Sequence, residues 1–279
     1  MNLRSALSHN PLLHYVFDRW KGAAVSLHKT LFFNLSALPL RQALTFPVYV
    51  YQGVKLEQVG RIEFACPLQR GMVRIGKRMF FRGAQTTFIN RGTVTFGGRC
   101  LIMGGGTVHV LRNCSRLRLD DNVMLGENVA VLCDTAISVG AATRITFGCV
   151  LIDSEFHYVL NTTTGEVAQR TKPITIGRYN WIGNRSTIKK GVKTPDFCIV
   201  SNGSMLTKDF SQEPPYTLLI GTPAKVKGTG FRRVYKDESD GWLNQQFADG
   251  TCAKVRVPAT PGDGDYNAFC EGDIDVTVH

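Results

Sequence analysis

The chain has 279 residues, 43% hydrophobic and 20% charged, with 28 glycines and 11 prolines. That composition excludes a disordered or fibrous chain, leaves room for a sizeable buried core and favours many tight corners over long helices. The net charge of +11 is uneven: residues 257–279 hold Asp263, Asp265, Glu271, Asp273 and Asp275 and no Lys or Arg, so the first 256 residues carry 33 bases against 17 acids, a balance that favours a polyanionic partner such as nucleic acid, a phosphorylated cofactor, an acidic glycan or an anionic membrane.

Asn10-Pro11 reads as a helix start, with Leu12, Leu13, Val16, Phe17 and Trp20 at helical spacing before Gly22. A second helical pattern, Leu27, Leu31, Leu35 and Leu38, stops at Pro39. Residues 1–60 are expected to form a helical cap over the start of the strand-rich region downstream, and Arg19, Lys21, Lys29 and Arg41 leave peripheral membrane contact as a second reading. Asn34, Pro39, Arg41, Gln42 and Pro47 break the apolar stretch 31–50 well short of a spanning segment. The start of the chain lacks the layout of a signal peptide.

From about Val48 short extended pieces take over, punctuated by glycines: Ile62 and Phe64, Val73 and Ile75, Val94 and Phe96, Val108 and Val110 each flank one outward residue. Further on a period of six sets in. Leu119, Leu125 and Val131 are six apart; after a change of phase so are Val139, Ile145 and Leu151; and Ile176, Ile182, Ile188, Thr194, Val200 and Leu206 continue without a slip. A six-residue repeat is a strand and a turn with one inward side chain, and three such units close one turn of a parallel β-helix, an all-β solenoid expected over 61–228. The rhythm stops over the polar stretch 152–173, read as a loop projecting from one corner. Residues 229–279 change composition again and are expected to be an irregular tail with an acidic end.

The eight cysteines show no CxxC pair and no framework spacing, so they are expected to be reduced residues, several of them packed in the coil, in a reducing compartment. Gly71–Lys77 has P-loop spacing, but Arg78 stands where Ser or Thr is required and no helix pattern comes after it, so nucleotide hydrolysis is set aside. No GxSxG elbow is present for a serine hydrolase. His157 is placed in the projecting loop beside Asp153 and Glu155. Imidazole titrates near about 6.5, which suits it to take a proton from a hydroxyl or an amine.

Four stretches then occur in order: Ile176–Gly183, Lys190-Gly191-Val192, Ser201–Phe210 and Gly221–Val226. With a histidine ahead of Trp181, they resemble the hexapeptide-repeat acyltransferases, closest to the branch of galactoside, maltose and polysaccharide O-acetyltransferases. The resemblance is strong over 119–228, weaker over 60–118 and absent at both ends. It implies a left-handed parallel β-helix, an exception to the usual crossover hand, assembled as a homotrimer with sites between neighbours. It implies acetyl-CoA as co-substrate, His157 as the catalytic base, Trp181 lining the CoA channel, Asn184 and Asn202 along the pantetheine arm, and Thr222, Pro223 and Lys225 near its nucleotide end. On the acceptor side Asn128, Asp134, Asp153 and Glu155 are the candidates; Gly126 aligns where sugar acetyltransferases carry an asparagine. Thr194-Pro195, Thr222 and Asn184 depart from the family pattern.

The function expected is CoA-dependent acetyl transfer to a sugar hydroxyl of a capsule or lipopolysaccharide type of glycan, without metal, in the cytoplasm or at the inner face of the membrane. The alternatives are N-acylation of an amino sugar and a noncatalytic scaffold or polyanion-binding protein. A metalloprotein reading would need a third partner for His109 and His157, and nucleic-acid binding lacks interleaved aromatic and basic residues.

Overall fold

The computed structural model describes residues 24–79, 84–257, 266–272 and 276. The helix expected from Asn10 lies outside them, as do Asp263, Asp265, Asp273 and Asp275. The fold is mostly parallel strands with few helices. A first sheet stacks Val48–Val50, Val73–Lys77, Cys100–Met103, Val123–Leu125, Arg144–Ile145, Trp181–Ile182, Ile199–Val200 and Leu218–Gly221 in parallel, and Ala224–Gly228 folds back antiparallel at its end. A second stacks Val54–Gln58, Thr86–Asn90, Thr107–Val110, Ala130–Cys133, Val150–Ile152, Thr187–Lys189 and Met205–Leu206. The third holds Arg61–Phe64, Thr93–Phe96, Arg116–Leu119, Ala136–Val139 and Ile174–Ile176. The chain visits the three sheets in turn, so each strand pairs with its counterpart one circuit later.

The period of six is the length of one face. Ile176 lies on the third sheet, Ile182 on the first and Ile188 on the second; one circuit on, Val200 pairs beside Ile182 and Leu206 beside Ile188. All five are buried in one continuous core. The change of phase after Val131 comes from extra residues at the corner following the second sheet, where Asp134 and Thr135 intervene before Ala136–Val139. The coil begins at Val48, so it takes in two strands that the boundary expected at 60 leaves outside. Gly71–Lys77 supplies the strand Val73–Lys77 instead of a phosphate loop.

Cys100, Cys133, Cys149 and Cys198 fill the interior. Burial drives all four thiols up, Cys133 and Cys198 to about 12 and Cys149 to about 11.

The corner leading into the first sheet repeatedly needs a left-handed residue, and Asn122, Ala142, Tyr179, Phe197 and Tyr216 adopt positive φ there. Such a conformation costs a non-glycine residue about 1 kcal/mol. Three of these residues offset it by ring contacts, Tyr179 stacked on Phe197 and Phe197 tilted against Tyr216, both with centroids 4.9 Å apart. The segment after 229 docks on this aromatic column, with Arg232 over Tyr216 and Tyr235 edge-on to Tyr179. It is not irregular throughout: Asp237–Gln246 is a helix with Asp237, Glu238 and Asp240 in its first turn, where the helix dipole favours acids. Val276 is buried against Leu101 and Met103 on the outer face of the first sheet, and its N–H donates to Asn122 Oδ1.

At the other end, the helix Leu27–Ala37 lies against the first circuit, but not by its leucines. Strand Val48–Val50 pairs on one side only, so its outer N–H and C=O groups need partners. Asn34 supplies them to Val48: Nδ2 donates to its carbonyl at 2.7 Å and Oδ1 accepts from its N–H at 3.2 Å. Thr30 Oγ1 accepts from Val50 N–H at 3.0 Å, and Ser26 N–H donates to Val50 O. The helix therefore turns Thr30, Phe33 and Asn34 inward, and Leu27, Leu31 and Leu35 are exposed.

Asn34→Ala strands two buried backbone groups and should lower unfolding free energy by about 3 kcal/mol, read as a shift of the urea midpoint at constant m-value. With Ellman's reagent at mildly alkaline pH, the exposed Cys114 and Cys252 should react in the native protein, and the four interior thiols only after unfolding.

Candidate functional site

The corner between the first and second sheets brings most of the donor-side candidates into one column: Asn184 and Asn202 occupy it one circuit apart, and Thr222 comes next at the end of the first sheet. Asn128, a candidate for the acceptor side, lies at the same corner two circuits before Asn184. Asn202 Oδ1 accepts from the N–H of Asn184 at 2.9 Å, and Asn184 O accepts from Gly203 N–H at 2.8 Å, tying adjacent circuits together. Gly183 permits this approach: a Cβ there would stand 2.5 Å from Asn202 Oδ1 and 2.6 Å from Val200 O. Thr222 Oγ1 donates to Gly203 O at 3.2 Å, and Pro223 sits next to it on the exposed rim. Lys225 is exposed on the returning strand, opposite Ile220.

Beside the column a groove of about 460 Å³ is lined by Met103, Met124, Gly126, Glu127, Thr146, Phe147 and Asn184. It is largely apolar, with one buried carboxylate, Glu127, whose Oε1 accepts from Met79 N–H at 2.6 Å. Trp181 stands on the outer face of the first sheet between Arg144 and Ile199, 36% exposed. Arg233 lies over its ring at 5.1 Å from the centroid. Arg233 and Glu127 had no signal in the sequence, since neither belongs to a motif; docking of the C-terminal segment places the first and corner geometry the second.

The loop with His157 leaves from a different corner, between the second and third sheets. Its base is held by buried carboxylates. Asp153 accepts from the backbone N–H groups of Asp134, Thr135 and Ala136 at 2.6, 2.8 and 2.9 Å and from Thr135 Oγ1 at 2.9 Å. Asp134 pairs with Arg112 and with Arg170, and accepts from Ser154 Oγ at 3.1 Å. Both side chains are enclosed, and within this chain their contacts anchor the base of the loop. Burial of a charge demands such partners, and nothing in the sequence distinguishes that demand from a ligand contact.

Glu155 is exposed and pairs with Lys190 at 2.9 Å and Lys189 at 3.4 Å; hydrogen bonding from Lys190, then Lys189, holds its carboxyl below the usual range. The arm beyond is a short antiparallel hairpin, Leu160–Asn161 with Glu166–Val167. His157 is exposed on it, its backbone N–H donating to Glu155 O at 2.6 Å. Phe156, Tyr158, Val159 and Leu160 beside it are exposed too.

One chain thus gathers Asn128, Asn184, Asn202 and Thr222 at one edge of the second sheet and puts His157 at the opposite edge. It does not bring the histidine to Trp181. Between the two edges runs an outward row of half-buried residues, Ile89, His109, Leu132 and Ile152.

No family model matches the chain. It is 28% identical over 112 residues to the galactoside O-acetyltransferase of Escherichia coli (strain K12), covering 40% of this chain and 53% of that protein, so the chain spans about half the length of the curated relative it matches. Among solved structures it is similar to the polySia specific acetyltransferase NeuO (19% identity, TM-score 0.49, 74% of this chain and 89% of that one) and to the polysialic acid O-acetyltransferase OatWY (19% identity, TM-score 0.41, 69% and 95%). Likenesses at those TM-scores add nothing to the fold, which rests on the strand ladders. The resemblance to the hexapeptide-repeat acetyltransferases read from the repeat region stands, carried by the stretch shared with galactoside O-acetyltransferase.

Proposed function

We propose that the protein is a CoA-dependent acyltransferase that moves an acetyl group from acetyl-CoA to a sugar hydroxyl of a capsule or lipopolysaccharide type of glycan, in the cytoplasm. The observation that carries the reading is the placement of donor-side candidates and His157 at opposite edges of one sheet whose outer face is an apolar row. Self-association along that row, as a homotrimer, lets the loop of one copy face the column of the next. The row supports it: Ile89 and Leu132 flank His109 and Ile152 follows Leu132, all half-buried in the single chain, an outward apolar strip of the kind that association covers. The winding proposed is left-handed, in keeping with the six-residue faces and the resemblance.

In this reading the acyl donor runs along the corner column past Asn202 and Asn184, with Trp181 at its side and Lys225 near the nucleotide end. The His157 imidazole takes the proton of the acceptor hydroxyl as its oxygen attacks the thioester carbonyl carbon. A backbone N–H at the coil edge donates to the oxyanion that develops. Collapse breaks the C–S bond, the acetyl ester leaves on the sugar, and the imidazolium returns the proton to the departing thiolate. Arg233 adds a positive charge beside the donor path and supports phosphate binding there.

Thiol release from acetyl-CoA with a panel of glycan acceptors tests the activity. His157→Ala should lower turnover by roughly 10²–10⁴ with CoA binding by calorimetry intact; retention of most turnover removes the assignment. For the shared site, co-assembled His157→Ala and Trp181→Ala chains, assayed at sub-saturating acetyl-CoA, should recover about one quarter of wild-type activity, because a head-to-tail contact pairs an intact histidine with an intact tryptophan in that fraction of interfaces. No recovery places the site within one chain.

A further inference from the structure

The helix Leu27–Ala37 has its amphipathicity inverted relative to the coil. Its inward side is taken by Thr30, Phe33 and Asn34, and Leu27, Leu31, Phe32 and Leu35 form one continuous outward face, extended by Leu40 and Leu44; each of these six is 45–66% exposed. A groove of about 470 Å³ runs beneath this face, lined by Leu27, Leu31, Phe46 and Tyr49, with Arg70 on it. Arg41 and Arg70 are exposed and make no ion pair among the described residues. No Asp or Glu occurs between residues 24 and 56, so the end of the coil is both apolar and positive.

Water is a poor partner for six large side chains on one face. A second copy on the same face would bring like-charged arginines together. No helix among the described residues is long and apolar enough to cross a membrane, so contact with lipid would be made lying flat. We propose that this end of the coil docks on an anionic lipid surface, with Leu27, Leu31, Phe32 and Leu35 at the acyl boundary and Arg41 and Arg70 at the headgroups. The surface lies at the N-terminal end of the coil, apart from the donor column and the His157 loop, and the inference does not depend on the reaction proposed above.

Co-sedimentation of the full chain with vesicles tests it. The protein should sediment with mixed phosphatidylcholine and phosphatidylglycerol vesicles in a salt-sensitive manner and stay in solution with phosphatidylcholine alone. The double variant L31Q/L35Q should lose at least about tenfold in vesicle affinity, and R41Q/R70Q about tenfold with a weaker salt dependence, both with wild-type circular dichroism and unchanged acetyl transfer to a soluble acceptor. Failure to bind the mixed vesicles, or equal binding by L31Q/L35Q, overturns the proposal. So does a fall in assembly mass for L31Q/L35Q in sedimentation equilibrium, which assigns the face to a second copy.

Discussion

Parallel pairing on all three faces is the constraint on which the molecule depends. Each strand must arrive beside the strand one circuit earlier, in register, so every face has the same length and surplus residues can go only to corners. From Thr107 onward the corner between the second and third sheets takes them: a few at Arg112–Ser115, fewer at Asp134-Thr135, and the whole loop after Asp153. The stack of Asp134 and Asp153 there, satisfied by backbone N–H groups, Ser154 and two arginines, is what a corner with surplus chain needs in place of ladder hydrogen bonds.

The ends of the coil obey the same rule of satisfied backbone by different means. One closes with a strand turned back antiparallel. The other closes with side chains, since the amide of Asn34 offers a donor and an acceptor where a neighbouring strand would offer a peptide group. That choice fixes which side of the helix faces in, and its leucines are outside as a consequence.

Much of this was legible in the sequence, for a definite reason. Inward side chains recur wherever a ladder fixes the face length, so Ile176 through Leu206 disclosed the coil, and the change of phase after Val131 marked a break in the repeat without showing that it sits at a corner. The helix at Leu27 was legible as a helix, but not which side faces the coil, because the leucine pattern registers hydrophobicity and the hydrogen-bond deficit of an edge strand depends on its neighbour. Tyr179, Phe197 and Tyr216 were likewise hidden, being aromatic where glycine or asparagine is the usual left-handed residue. Asn184 and Asn202 could be placed one circuit apart from the repeat alone. The separation of His157 from Trp181 could not, since it requires knowing which corner each one occupies.

The His157 loop begins and ends at neighbouring backbone positions: Lys172 N–H donates to Asp153 O at 3.0 Å. The chain thus re-enters the third sheet at a point set by that closure and not by the number of residues in between. Loop length and composition are therefore uncoupled from coil register, and each further residue adds only a slowly growing closure entropy. The arm between Glu155 and Gln169 can therefore change in length while the coil keeps its register, because the contacts that fix the closure lie at Asp153, Arg170 and Lys172.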